Sequence, residues 1–178
     1  MTPTHVGPLF IVTGASGVGK TTLCEVLFQQ ETEYLVLDSD LLWEARYDTP
    51  QDNYRAFREL WLLMCANISQ CGLPVVLCGA GVPESFEQCE NRQLFSTIHY
   101  LAVIADDTVL AQRMREGRGI TDARWLASSQ AFNQWLRVHA AETMPPITLL
   151  DHSGDAIQAD AARIDAWVRG WLSHSART

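Results

Sequence analysis

The sequence predicts an α/β fold, a three-layer sandwich in which helices cover both faces of a five-stranded parallel sheet. Three observations carry that prediction. Five short runs are apolar throughout, without the alternation of a half-exposed strand, as expected where both faces of a sheet are buried. Amphipathic stretches of helical period separate them. Each run ends in a cluster of Gly, Asp or Ser, and parallel sheets bind ligands beyond the carboxyl ends of their strands.

Leu9 to Thr13 (LFIVT) reads as the first strand and runs into Gly14. Gly19 to Gln30 is helical, with Leu23, Val26 and Leu27 on one face. Tyr34 to Leu37 is the second strand, followed by Asp38-Ser39-Asp40. Asp52 is placed to cap a helix from Asn53 to Gln70, with Phe57, Leu60, Trp61, Met64 and Ile68 as its apolar face and Gly72 closing it. Pro74 to Cys78 is the third strand and enters Gly79-Ala80-Gly81; Ile98 to Ile104 is the fourth. Asp106 or Asp107 caps a helix carrying Val109, Leu110, Arg113 and Met114, which Gly117 and Gly119 break. Thr121 caps a helix of about twenty residues that stops before Pro145-Pro146. Ile147 to Leu150 is the fifth strand. Asp155 caps the last helix, whose apolar face is Ile157, Ala161, Ile164, Trp167 and Val168, and Ser173 to Thr178 reads as a loose tail.

At 178 residues the chain is the size of one domain. Apolar residues make up 47% and charged residues 19%, which argues for a globule. No apolar run reaches membrane-spanning length, and no basic segment precedes the first apolar run, so a cytoplasmic protein is expected. The net charge of −8 argues against a general nucleic-acid or anionic-membrane binder, though not against a local basic pocket. A monomer or homodimer is expected. Cys24, Cys65, Cys71, Cys78 and Cys89 form no CxxC pair and are odd in number, so they read as small apolar residues in a reducing compartment. The histidines form no metal-ligating spacing.

The most specific signal is Gly14-Ala15-Ser16-Gly17-Val18-Gly19-Lys20-Thr21, which matches GxxxxGK[ST] between a strand and a helix. Glycines there let successive N–H groups point inward as an anion nest, and the helix adds its positive end. Gly14 through Thr22 are therefore the expected nucleotide-binding residues. Lys20, the only lysine of the chain, reaches the terminal phosphates, and the Thr21 hydroxyl is suited to Mg²⁺. No guanine-type [NT]KxD sequence occurs, so ATP is the expected donor. Asp38 and Asp40 would share one side of an extended strand. One such carboxylate suits Mg²⁺ through water, and the other suits a proton from an attacking hydroxyl.

These features together resemble the small P-loop kinases, a group that includes shikimate, gluconate, nucleoside and nucleoside-monophosphate kinases and chloramphenicol phosphotransferase. The resemblance spans nearly the whole chain and implies strand order 2-3-1-4-5 with a small lid at about residues 113–125. It implies that Asp38 assists Mg²⁺ and Asp40 contacts the acceptor hydroxyl. It places Gly79 and Gly81 at the acceptor, in a turn that is GAG here and GGG in the family. Phe57-Arg58 is similar to the start of an FRxxE sequence, but Trp61 stands where the Glu belongs. Arg113, Arg115 and Arg118 fall where similar kinases begin the lid, whose arginines close over the transferring phosphate; Arg113 and Arg118 match the spacing better. Gly117 and Gly119 would be its hinge, and Arg124 a further cation. Related kinases hold adenine near Ser153-Gly154-Asp155.

Of Arg55, Arg58 and Arg92, which flank the presumed acceptor cleft, Arg58 is the expected anchor for an acceptor anion. Trp43, Trp61, Trp125 and Trp135 are suited to stacking on a base. Core packing is the simpler role, since Trp61 and Trp135 fall on apolar helix faces. The expected activity is ATP- and Mg²⁺-dependent phosphotransfer to a small molecule, a nucleoside or nucleotide first. The alternatives are a shikimate-, gluconate- or antibiotic-type hydroxyl, or a nucleotide-binding regulatory protein with negligible turnover.

Overall fold

In the computed structural model, which describes residues 6–30, 33–154 and 156–175, the five apolar runs form one sheet. Its strands are β1 (Leu9–Thr13), β2 (Leu35–Asp38), β3 (Val75–Cys78), β4 (Ile98–Ile104) and β5 (Ile147–Asp151). All pair in parallel in the order β2-β3-β1-β4-β5, as the resemblance implied. The central β1 sets Ile11 opposite Leu77 on one side and Tyr100 on the other.

The described helices are α1 (Lys20–Gln29), α2 (Arg55–Ser69), α3 (Pro83–Glu87), α4 (Asp107–Gln112), α5 (Ala123–His139) and α6 (Ile157–Ser175). Alternation along β1 divides the core between them. Phe10 and Val12 pack with Leu23 and Leu27 of α1 and Ile164 and Val168 of α6. Leu9 and Ile11 face the other way, with Trp61 and Leu62 of α2 and Leu136 of α5. Each such buried side chain stabilises the fold by about 1.5–3 kcal/mol. At the α1–α6 seam the buried Tyr34 donates its hydroxyl to Asp165 Oδ1 at 2.9 Å, and burial raises its pKa. No described helix is long and apolar enough to cross a membrane.

Several sequence expectations about helix ends are corrected. Asp52 does not cap α2. It ends a short 3₁₀ turn (Pro50–Asp52), and Asn53 and Tyr54, both with positive φ, turn the chain before α2 begins at Arg55. The cap of α5 is Asp122, not Thr121: its carboxylate accepts from the N–H groups of Arg124 and Trp125 at 2.8 and 3.0 Å. Asp106 occupies the cap position of α4 but makes no capping bond; its carboxylate faces Arg137 Nη2 at 3.4 Å. α4 continues as a π-helix (Arg113–Gly117) that contains Gly117, so of the two glycines expected to break the helix only Gly119, with φ 63°, follows its end. α6 extends through Ser175, so the tail is helical past Ser173, while Asp155 lies outside the described residues.

The cysteines need the largest correction. Cys24 and Cys78 are joined by a disulfide across 54 residues. The sheet order places α1 against β3 and brings two distant cysteines side by side, which spacing along the chain does not reveal. Cys65 and Cys89 are buried free thiols, pushed up to about 12 and about 11 by burial, while Cys71 is exposed.

Candidate active site

The loop after β1 and the start of α1 line a cavity of about 930 Å³ at the carboxyl edge of the sheet. Gly19 stands at the N-terminal cap of α1 with φ 102° and no capping side chain. A Cβ there would lie 2.8 Å from Cδ2 of His152, so the close approach needs glycine. The first turn of α1 holds no acidic residue, which leaves the positive helix end to an anion.

Lys20 Nζ donates to the carbonyls of Gly14 and Ala15 at 2.6 and 2.8 Å. Its pKa is lowered to about 8, chiefly by burial; Asp40 opposes the shift, Arg118 adds to it and Asp38 opposes it. Ser16, Gly17, Gly19, Thr21 and Thr22 line the same cavity. Val18 is fully buried; its side chain supports the loop and its carbonyl accepts from Arg113.

A second cavity of about 770 Å³ adjoins the first. Gly14, Ala15, Ser16, Asp40, Gly79 and Arg118 are among its lining residues, and Ser16, Asp40, Gly79 and Arg118 also line the first. Asp38 lines only the first. The expectation of an extended Asp38-Ser39-Asp40 is corrected. The strand ends at Asp38, whose Oδ1 accepts from the Asp40 N–H at 2.9 Å and caps a 3₁₀ turn (Ser39–Leu42). The turn keeps both carboxylates at the nucleotide cavity and buries Ser39, which presses on Gly79 where a side chain would clash.

Gly81 lines neither cavity. It exchanges two hydrogen bonds with the Thr13 side chain, its N–H donating at 3.1 Å and its carbonyl accepting at 2.6 Å. The turn is thereby fastened to the end of β1. Arg58 lines the second cavity and is buried. Its Nη1 donates to the Asn53 carbonyl and its Nη2 to Asn53 Oδ1 at 3.3 Å, and desolvation lowers its pKa. Arg55 and Arg92 line neither cavity; they pair with Glu59, Glu90 and Glu87. Arg115 and Arg124 are exposed.

Arg113 is turned inward. Its Nη1 donates to the carbonyls of Val18 and His152 at 3.1 and 2.9 Å, and its Nη2 to the Gly154 carbonyl at 3.1 Å. The guanidinium ties the phosphate loop to the segment after β5. Sequence reasoning missed the group behind it: the buried His152 holds Asp160 by Nδ1 to Oδ2 at 2.7 Å, against Gly19. Asp160 lies one turn into α6 at a helix-face spacing, and nothing in the sequence marks it.

Residues 11–131 match the family described as AAA domain. The chain belongs to that family. The chain has the fold of solved kinases across nearly its whole length. It is similar to a gluconokinase from Sinorhizobium meliloti (17% identity, 94% of this chain and 98% of that one, TM-score 0.60). A tunicamycin resistance protein from Deinococcus radiodurans is similar as well (19% identity, 91% and 95%, TM-score 0.67). So is a shikimate kinase from Acinetobacter baumannii (15% identity, 97% and 96%, TM-score 0.57). No curated protein matches the sequence.

The residues of this site would fit Mg²⁺ only jointly with a nucleotide. No group of three or more His, Cys, Asp or Glu that could hold a metal ion occurs among the described residues. Thr21 and Asp38 share the cavity with the loop, and hard oxygen ligands from phosphate would complete the set.

Proposed function

We propose that this protein transfers the γ-phosphoryl group of ATP, with Mg²⁺, to a hydroxyl of a small acceptor. One observation carries the proposal: Asp40 and Arg118 border both the loop cavity and the second cavity, so a carboxylate and a guanidinium stand at a junction where donor and acceptor could meet. The loop N–H groups and Lys20 hold the β- and γ-phosphates. Thr21 and Asp38 hold the metal ion. Bound Mg²⁺ supplies positive charge against the oxygens of the transferring group.

Asp40 accepts the proton of the attacking hydroxyl as the new O–P bond forms. The bond from the γ-phosphorus to the bridging oxygen breaks and ADP leaves. Arg118 faces the charge that develops between them. Positioning and electrostatics account for the acceleration, with no covalent enzyme intermediate. Arg113 acts by fixing the loop, through the carbonyls it already holds. A base at the junction favours a hydroxyl acceptor, such as a nucleoside, over a nucleoside monophosphate, whose phosphate needs no deprotonation at neutral pH. Arg58 would meet an anionic group of the acceptor where it has one.

A coupled assay of ADP release tests this, run with nucleosides, nucleoside monophosphates, shikimate, gluconate and aminoglycosides. Acceptor-dependent release is expected for a hydroxyl compound. ATP binding without such release for any of them would refute phosphotransfer and leave a regulatory nucleotide-binding protein.

A further inference from the structure

The second cavity is walled by aromatic rings. Trp43, Tyr54, Phe57, Trp61, Phe86 and Trp125 reach it from four separate segments of the chain. Most aromatic side chains in a protein complete a core, and Trp61 and Phe86 do so here, at 3% and 5% exposure. Trp43 and Trp125 do not: they remain 45% and 49% exposed while lining the cavity. Trp43 meets Tyr54 at an interplanar angle of 53° and Phe57 at 82°, so neither contact is a parallel stack on the indole.

The charged groups Asp40 and Arg118 stand where this cavity meets the first, and the rest of the wall is mainly aromatic. Arg58 gives one bond from each terminal nitrogen to Asn53 and keeps its remaining N–H groups for an acceptor anion, and Ser129 is buried. The hydroxyls of a carboxylated polyol would lose their water to walls that return few hydrogen bonds. A planar ring loses little and gains dispersion and quadrupole contacts on its faces.

We infer that the acceptor carries a planar aromatic or heteroaromatic ring beside the hydroxyl that meets Asp40. The inference rests on the phosphotransfer proposed above and names the acceptor class of that same site. Nucleosides and benzylic alcohols share the required chemistry, and the experiment separates them.

Binding and turnover are measured apart. With the nucleotide site filled by Mg²⁺ and β,γ-methylene ATP, saturation-transfer NMR is recorded for adenosine, uridine, 4-hydroxybenzyl alcohol, shikimate and gluconate. ADP release is then followed with ATP and the same compounds. Ring protons of at least one ring compound should receive saturation, and shikimate and gluconate should bind at least tenfold more weakly. Trp43→Ala and Trp125→Ala should each weaken ring binding about tenfold with β,γ-methylene ATP affinity within twofold, the scale of a lost base-stacking contact.

Ring binding without ADP release would support the ring site and refute phosphotransfer to those compounds. Turnover of shikimate or gluconate with the ring compounds inert would overturn the inference and leave phosphotransfer standing. Absence of ring binding at millimolar concentration, or ring binding unchanged in both alanine variants, would also overturn it.

Discussion

Arg113 Nη1 donates to the main-chain oxygen of Val18 at 3.1 Å, across 95 residues of sequence. The same guanidinium also holds the carbonyls of His152 and Gly154, so one side chain joins the phosphate loop to the segment after β5. Its planar fork suits several carbonyls at once, and a lysine ammonium would not reproduce that geometry.

Arg113→Ala should therefore weaken ATP binding about tenfold or more and lower thermal stability. Each lost charge-assisted bond is worth roughly 1.5–3 kcal/mol before relaxation. Arg113→Lys should recover only part of both. Calorimetric titration with β,γ-methylene ATP and a thermal melt measure the two effects. Full binding and an unchanged melt in Arg113→Ala would show that the three carbonyl contacts hold nothing in place.

The Cys24–Cys78 bond yields a prediction in two parts. Intact protein alkylated under denaturing, non-reducing conditions should show three free thiols of the five cysteines. Reduction should lower the unfolding free energy by about 4 kcal/mol, from the chain entropy of a loop closed over 54 residues. Five alkylated thiols before reduction would contradict the bond. Cys24→Ala should match the reduced protein within about 1–2 kcal/mol, the remainder being its lost packing.

Lys20 sets a pH dependence. Burial lowers its free-state pKa to about 8, so the ammonium is formed below that value and lost above it. A bound triphosphate favours the charged form and raises the pKa. Affinity should therefore be constant below pH 7. Above pH 8 it should weaken by about tenfold per unit, until the pKa of the bound state is reached. Lys20→Met should bind weakly at every pH, without that slope. A flat profile for the wild type between pH 7 and 10 would contradict the role given to the ammonium.

Asp40→Asn removes the proton acceptor and keeps the shape. With whichever acceptor supports turnover, kcat should fall about 10²–10⁴-fold, the usual worth of a general base. Affinity for β,γ-methylene ATP should stay within about threefold, because the proposed role of Asp40 is toward the acceptor hydroxyl. A wild-type kcat in this variant would remove Asp40 from the chemistry.

Much of the fold was legible because burial on both faces leaves a plain record. Leu9–Thr13 and Ile98–Ile104 are strands with the bounds the largely apolar runs set, His99 being the one strongly polar residue inside them. Helix starts were less legible. Thr121 is a good capping residue beside the better-placed Asp122, and Asp52 is cut off from α2 by a turn at Asn53-Tyr54 that carries no glycine to announce it. The phosphate loop was readable because its residues are contiguous. The walls of the second cavity were not, since Trp43, Trp61 and Trp125 are brought together only by the sheet order. Trp135 shows the converse. It falls on an apolar stripe, yet it is 36% exposed and stacks on His139, one turn along α5, away from both cavities.

A crystal structure with Mg²⁺ and β,γ-methylene ATP tests the central claim most directly. Lys20 Nζ should leave the carbonyls of Gly14 and Ala15, which it now holds at 2.6 and 2.8 Å, for the β- and γ-phosphate oxygens. The γ-phosphate should face Asp40 across the junction of the two cavities. Nucleotide density away from residues 14–22, or a Lys20 still bonded to its own loop beneath a bound triphosphate, would contradict the account.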